Sequence, residues 1–281
     1  MDEINHKTTI YEPNKYLKRG IKIWKDMFLE LMESRELVWR LFVRNLSAKY
    51  RQSILGYVWF LLMPFIAIGT FMYLNRVGIV NIDTVDIPYP LFALIGLTIW
   101  QLFSTGIVSG TNSIVSAGSM VVKINFPRES LVFSSMAQGL FEFMVKSVLI
   151  VIFFFIFKVV PSPWGLLFPV AVLPIIILTV GLSLILSLVN GVLRDTANAV
   201  SLLTTFLMFL TPVLYPISAT KSIYLKLNPL IPLVNTPRDL LVYGSIKEPV
   251  EFCVATIISV VVLLCAWRIF HLVETKIPER L

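Results

Sequence analysis

VVPSPWGLLFPVAVLPIIILTVGLSLILSLVNGVL, residues 159–193, runs for 35 positions without an Asp, Glu, Lys or Arg. A bilayer core needs about 20 apolar residues per helical crossing, so this stretch has length to spare. Leu55–Leu74, Ile87–Val122 and Thr196–Thr220 are equally free of charge. Of the 281 residues, 57% are hydrophobic, and the mean hydropathy is +0.81. A soluble domain cannot keep that much apolar surface out of water. In lipid, by contrast, a helix satisfies its own backbone polar groups. The expected fold class is therefore all-α and integral to the membrane.

Working outward, six spans are expected near 53–75, 89–112, 131–157, 165–192, 197–216 and 250–270. With the N-terminus inside, the inner segments carry 17 Lys and Arg against 6 in the outer ones. Positive charge marks the cytoplasmic side, so both termini are expected in the cytoplasm. The first 20 residues include Lys7, Lys15, Lys18 and Arg19 and no apolar core, so no cleavable signal is expected. Residues 1–281 read as one transmembrane domain. It comprises an interface helix at 21–51, a six-span body at 53–270 and outer helices within 217–245.

The net charge of +7 does not point to nucleic acid, because 11 of the 24 Lys and Arg fall within residues 1–51. There they flank an amphipathic pattern. Trp24, Met27, Phe28 and Leu31 recur at helical spacing, as do Trp39, Phe42, Val43, Leu46 and Tyr50. Arg40, Arg44 and Arg51 fall on another face. Such a helix lies along a membrane surface and either anchors there or also docks a cytoplasmic partner. Ser109–Ser119 is rich in Ser, Gly, Thr and Asn, and is expected to end a span and lead into a cytoplasmic element. There Lys123, Ile124, Phe126, Pro127, Arg128 and Glu129 combine apolar and charged side chains, which a mere connector does not need. In the third span Glu142 and Lys146 stand four apart, the spacing of a helical ion pair. Charge at membrane depth is costly and faces protein or water; one isolated pair fits a structural tie better than a proton path. Between spans five and six, Ile217–Leu227 and Leu233–Tyr243 read as two short outer helices.

Catalytic signatures are missing. There is no G-x-x-x-x-G-K-[ST] phosphate loop, and Gly-Lys occurs nowhere. His6 and His271 are too few and too distant for a triad or a metal site, so no metal is expected. Cys253 and Cys265 read as small helix residues. Asp83 and Asp86, the nearest approach to an acidic pair, suit a solvated turn. The chain is not expected to be an enzyme.

Aromatic residues remain. Tyr57, Trp59, Phe60, Phe65, Phe71 and Tyr73 populate span one, and Phe206, Phe209 and Tyr215 populate span five. Rings stack on the apolar faces of sugars, so these nine are candidate channel residues. Aromatics also pack cores and form interfacial belts, which suits Trp59 and Tyr215 near span ends.

The run Leu46-Ser47-Ala48-Lys49-Tyr50-Arg51-Gln52-Ser53-Ile54-Leu55-Gly56-Tyr57-Val58-Trp59 resembles the entry to span one in permeases of bacterial ATP-binding-cassette polysaccharide exporters. Pro88-Tyr89-Pro90-Leu91-Phe92, Asn125-Phe126-Pro127-Arg128-Glu129, Arg194-Asp195, Thr211-Pro212-Val213-Leu214-Tyr215-Pro216 and Leu227-Asn228-Pro229-Leu230 continue the likeness in order, over about residues 35–245. Departures include Met63 before Pro64 and Thr236-Pro237 before Arg238. The resemblance implies a homodimeric permease of the bacterial inner membrane. It implies two separate cytoplasmic ATPase subunits that carry ATP and Mg2+, with no cofactor in this chain. It also implies export of O-antigen, capsule or teichoic-acid-type polymer, O-antigen favoured, on an undecaprenyl-diphosphate carrier.

On that footing Arg40, Arg44, Lys123, Phe126, Arg128 and Glu129 are expected to meet the ATPase. Lys49 and Arg51 are expected to receive the lipid diphosphate, since paired cations suit phosphate oxygens. Two rival expectations are a small-molecule (drug or haem) permease and a membrane enzyme acting on lipid-linked sugars. The latter lacks the carboxylates it would need.

Overall fold

The computed structural model describes residues 22–51, 58–78, 86–118, 120–123, 126–215 and 228–274. Of these, the side chains of 22, 49–51, 60, 61, 122 and 123 lie outside the description. Every regular element among the described residues is helical. In order they are α1 (Lys22–Glu33), α2 (Arg35–Arg51), α3 (Val58–Arg76), α4 (Tyr89–Ala117), α5 (Met120–Lys123) and α6 (Glu129–Ile156). A 3-10 turn (Pro163–Leu167) then leads into α7 (Phe168–Val192), followed by α8 (Thr196–Phe209), α9 (Leu230–Val242) and α10 (Pro249–Val273).

Among the described residues, four helices are long and apolar enough to cross a membrane: α4, α6, the 163–192 unit and α10. The 19 residues of α3 extend about 28 Å at 1.5 Å per residue. The 14 residues of α8 reach only about 21 Å, short of a full crossing. The helix expected at 197–216 thus ends early, and Thr211, Pro212, Val213 and Leu214 continue as a buried non-helical segment.

α4 is the centre. It packs against α6 and α7 most extensively, and also against α3, α8 and α9. It is a single helix through Ala117, so the polar half at Ser109–Ser119 does not end the span where the sequence pattern placed the break. Its polar side chains bond back into their own helix: Ser109 Oγ to the Thr105 carbonyl at 2.7 Å, Thr111 Oγ1 to Ile107 at 2.7 Å, and Asn112 Nδ2 to Val108 at 3.1 Å. Polar residues that satisfy themselves in this way no longer break a helix.

The small residues have a second use. A Cβ on Gly106 would come within 2.7 Å of Thr179 Cγ2, and one on Gly110 would strike Ser183. Gly106 and Gly110 on α4 therefore face Thr179 and Ser183 on α7, two small residues four apart on each helix. Lipid tails are as apolar as Leu, so close backbone approach, not hydrophobicity, drives such packing.

α1 and α2 form a nearly continuous rod. At the single-residue break, Ser34 donates its backbone N–H and its hydroxyl to the Glu30 carbonyl at 3.1 and 2.7 Å. The buried face carries Ile23, Met27, Leu31, Leu41 and Phe42. Phe28, Trp39 and Val43, grouped with it by periodicity, are exposed instead. α2 packs on α6, with Phe42 meeting Phe141 edge-on at 6.2 Å. That contact rotates the apolar stripe and leaves Trp39 outward.

Candidate functional site

A groove of about 530 Å³ opens between α4 and α8. α4 supplies Leu97, Trp100, Gln101, Ser104, Thr105, Val108 and Ser109; α8 supplies Ser201, Thr204, Thr205 and Met208. No charged side chain among the described residues lines it. The hydroxyls of Thr204 and Thr205 donate to the carbonyls of Val200 and Ser201, at 3.0 and 2.9 Å, leaving oxygen lone pairs for a ligand. Gln101 Oε1 is buried without a hydrogen-bond partner among the described residues.

Asn190, near the end of α7, sets the position of α8. Its Nδ2 donates to the Thr111 carbonyl at 3.1 Å, while its Oδ1 accepts the Ala197 N–H at 3.1 Å. One buried amide thus pins the α8 entry to α4.

The candidate channel aromatics whose side chains are described do not converge in this groove. Tyr57 and the side chain of Phe60 lie outside the described residues. Trp59, Phe65, Tyr73, Phe206 and Phe209 are exposed, and Phe71 is half-buried against the core. Phe65 also meets Phe153 of α6 at 5.8 Å. The half-buried Tyr215 donates its hydroxyl to the Phe209 carbonyl, closing the turn after α8. Groove and rings thus occupy different faces of α8, hydroxyls toward α4 and phenyl rings outward.

At the other end of the groove the buried segment 211–214 is clamped by residues that the sequence marked only as parts of family-like motifs, with no role attached. Arg238 of α9 is 4% exposed, donates from Nη1 to the Pro212 carbonyl at 3.0 Å, and also reaches Asn235 Oδ1. Its guanidinium lies 3.9 Å from the centre of the Phe92 ring. Burial pushes this group down to about 10, so it stays charged at neutral pH. Tyr89 donates to the Leu214 carbonyl at 2.9 Å, and Asn228 Nδ2 to Thr211 Oγ1 at 3.3 Å. Gly96 completes the clamp, since any Cβ there would collide with the Val213 carbonyl. The apolar residues Leu230, Ile231, Leu233, Leu240 and Leu241 marked this helix in the sequence; that Arg238 reaches back to segment 211–214 carries no local signal.

The expected docking residues divide. Arg40 and Glu36 form an exposed ion pair at 2.7 Å, a kind worth little to stability and free to exchange partners. Arg44 Nη1 approaches Met120 Sδ at 3.7 Å, so α2 and α5 meet, as one docking surface requires. Lys123 is helical, with its side chain outside the description; Phe126 and Arg128 are half-buried. Lys49 and Arg51 occupy the last turn of α2, also without described side chains.

Glu129 departs from its expected place. It is fully buried, and its Oε1 accepts the Trp267 indole N–H at 3.1 Å. It faces α10 and cannot meet a partner at the surface. Nor does His271 stand alone: its Nδ1 lies 3.3 Å from Glu274 Oε1, and Glu129 completes a cluster whose ligand-type atoms fall within 4.8 Å of one another. The sequence expectation of no metal-competent set missed this because 142 residues separate Glu129 from His271.

Glu142 and Lys146 are paired at 3.8 Å and buried, 4% and 3% exposed, in the body of α6. Cys253 and Cys265 are exposed on α10.

Likeness to known proteins bears on this arrangement. The family model described as ABC-2 type transporter matches residues 36–242. The chain is 31% identical over 248 residues to an O-antigen export system permease of Myxococcus xanthus, covering 86% of this chain and 94% of the relative. A permease of the same description from Klebsiella pneumoniae is 28% identical over 211 residues, 73% and 79% of the two chains. A polysialic acid transport protein of Escherichia coli is 24% identical over 247 residues, 82% and 91%. With its multi-pass helical body and a match that runs from α2 to the end of α9, the chain belongs to the ABC-2 type transporter membrane family.

Proposed function

We propose that the chain is the membrane subunit of an ATP-driven exporter of a cell-surface polysaccharide, with a lipid-linked O-antigen as the favoured cargo. The carrying observation is the uncharged, hydroxyl- and amide-lined groove between α4 and α8. A neutral polyhydroxylated polymer exchanges water hydrogen bonds for those of Gln101, Ser104, Thr105, Ser201 and Thr205, and no fixed charge traps it. Trp100 offers a ring face to sugar carbons. The printed descriptions of the Myxococcus, Klebsiella and Escherichia relatives support the same cargo class.

In this reading six spans cross the bacterial inner membrane with both termini in the cytoplasm, two copies enclose the path, and α3 and α8 border it. Two cytoplasmic ATPase subunits bind ATP and Mg2+ and push on α2 and on residues 120–128. The approach of Arg44 to Met120 supports this, because force applied to either element reaches both. Lys49 and Arg51 receive the diphosphate of an undecaprenyl carrier at the inner mouth. ATP moves the helices only as far as it binds the two states differently.

The test is a Gln101→Leu, Thr205→Val double variant expressed in cells lacking the wild-type chain. Both changes keep side-chain volume and remove hydrogen-bonding groups. Surface polymer should fall at least about tenfold, the loss expected when about 1.4 kcal/mol of polar contact goes, with the membrane level of the chain unchanged. Wild-type surface polymer in this variant would contradict the groove assignment.

A further inference from the structure

We propose that Glu129, His271 and Glu274 bind a first-row divalent transition-metal ion, best matched by Zn2+, where the start of α6 meets the end of α10. Each carboxylate has one oxygen held by a donor, which leaves the other available to the cluster. Glu129 Oε1 accepts the Trp267 indole N–H at 3.1 Å, while the buried Oε2 has no hydrogen-bond partner among the described residues. Glu274 Oε2 accepts the Arg128 backbone N–H at 3.3 Å, while Oε1 lies 3.3 Å from His271 Nδ1. This division is how metal sites orient their ligands: an outer donor fixes one oxygen and the other faces the ion.

The spacing suits a small ion. Ligand atoms about 2.1 Å from Zn2+ stand about 3.4 Å apart along a tetrahedral edge, and the His271–Glu274 pair is already at 3.3 Å. The full set lies within 4.8 Å, so closing it takes about half an ångström of side-chain movement to reach ion distances. Three protein ligands leave the fourth position to water.

Charge argues the same way. Two carboxylates are brought together against one imidazole in the same cluster. Within the cluster the imidazole offsets one carboxylate at most, whereas a divalent ion offsets both. A nitrogen-plus-carboxylate set favours Zn2+ or its neighbours over Mg2+ and Ca2+, which prefer all-oxygen cages.

The site sits under an aromatic cluster: Trp267 meets Trp24 of α1 at 6.4 Å and Phe133 of α6 at 6.2 Å. An ion there ties α6 to α10 directly behind residues 126–128.

The experiment uses the full chain, purified in detergent on a tag without histidine, stripped with chelator and dialysed against Zn2+. Elemental analysis should find about one Zn2+ per chain, and the unfolding temperature should rise with added Zn2+. Glu129→Gln, His271→Gln and Glu274→Gln should each abolish both effects. Trp267→Phe should weaken binding about 10- to 100-fold, as the loss of an orienting donor does. Co2+ in place of Zn2+ should give the visible absorption of a tetrahedral site. Glu274 lies at the end of α10 and is half-buried, so its Gln variant decides the matter if the others fail to fold. The proposal is overturned if the wild-type chain retains no Zn2+ and shows no thermal shift. It is equally overturned if a monodisperse Glu274→Gln retains as much Zn2+ as wild type, which would locate the metal elsewhere. None of these readouts depends on transport.

Discussion

α4 and α10 are both apolar enough to cross a membrane, yet they have opposite surroundings. In its most apolar stretch, 78% of α4 is buried inside the protein, against 17% of α10. α10 is the more apolar of the two. Ile257, Val261 and Leu264 on α10 are exposed and meet whatever solvent surrounds the protein. α4 instead presents Gly106, Gly110, Thr111 and Ser113 to its neighbours. In a bilayer, hydropathy therefore reports contact with lipid, and small or polar residues report contact with protein.

That contrast is open to attack by substitution, measured as unfolding in detergent. The largest effect belongs to the buried pair on α6. Glu142→Leu alone should cost about 3–5 kcal/mol, because Lys146 keeps a buried charge without its carboxylate. Adding Lys146→Met should recover most of it; no recovery would mean that the pair does more than balance two buried charges on one helix. Next, Gly110→Leu should cost about 3 kcal/mol by forcing α4 off Ser183. A tolerated Leu there would show that the α4–α7 contact is looser than described. Arg238→Met should cost about 2 kcal/mol through the charged hydrogen bond to Pro212, and should release the 211–214 segment to proteolysis. Smallest of all, Ile257→Val on α10 should stay within about 0.5 kcal/mol. A larger loss would mean that another protein surface covers this face.

Much of the fold can be read along the chain. Long uncharged runs locate α4 and α7, runs of high hydropathy locate α6 and α10, and the four-residue spacing of Glu142 and Lys146 makes their pairing visible. Local pattern fails where contacts are distant. The Ser/Gly/Thr/Asn run at 109–119 looks like a helix end, because nothing local reveals that α7 receives those small residues. Phe28 and Trp39 look like part of a buried stripe until Phe42 engages Phe141. Glu129 sits in a motif-like segment and is drawn inward by Trp267, far along the chain. For the candidate site, aromatics are conspicuous in sequence, whereas hydroxyl residues four apart on α4 and α8 look like ordinary helix filler. Only their juxtaposition makes a groove.

The central claim is that a sugar polymer passes along the α4–α8 groove and not across the outer face of α10. The most direct measurement places a photo-crosslinking residue at Thr205 or at Ile257, one position at a time. Cells are illuminated during export, and polymer attached to the chain is probed by its own antibody. Polymer attached at Thr205 and absent at Ile257 is the predicted result. Polymer at neither position, or equally at both, would contradict the account.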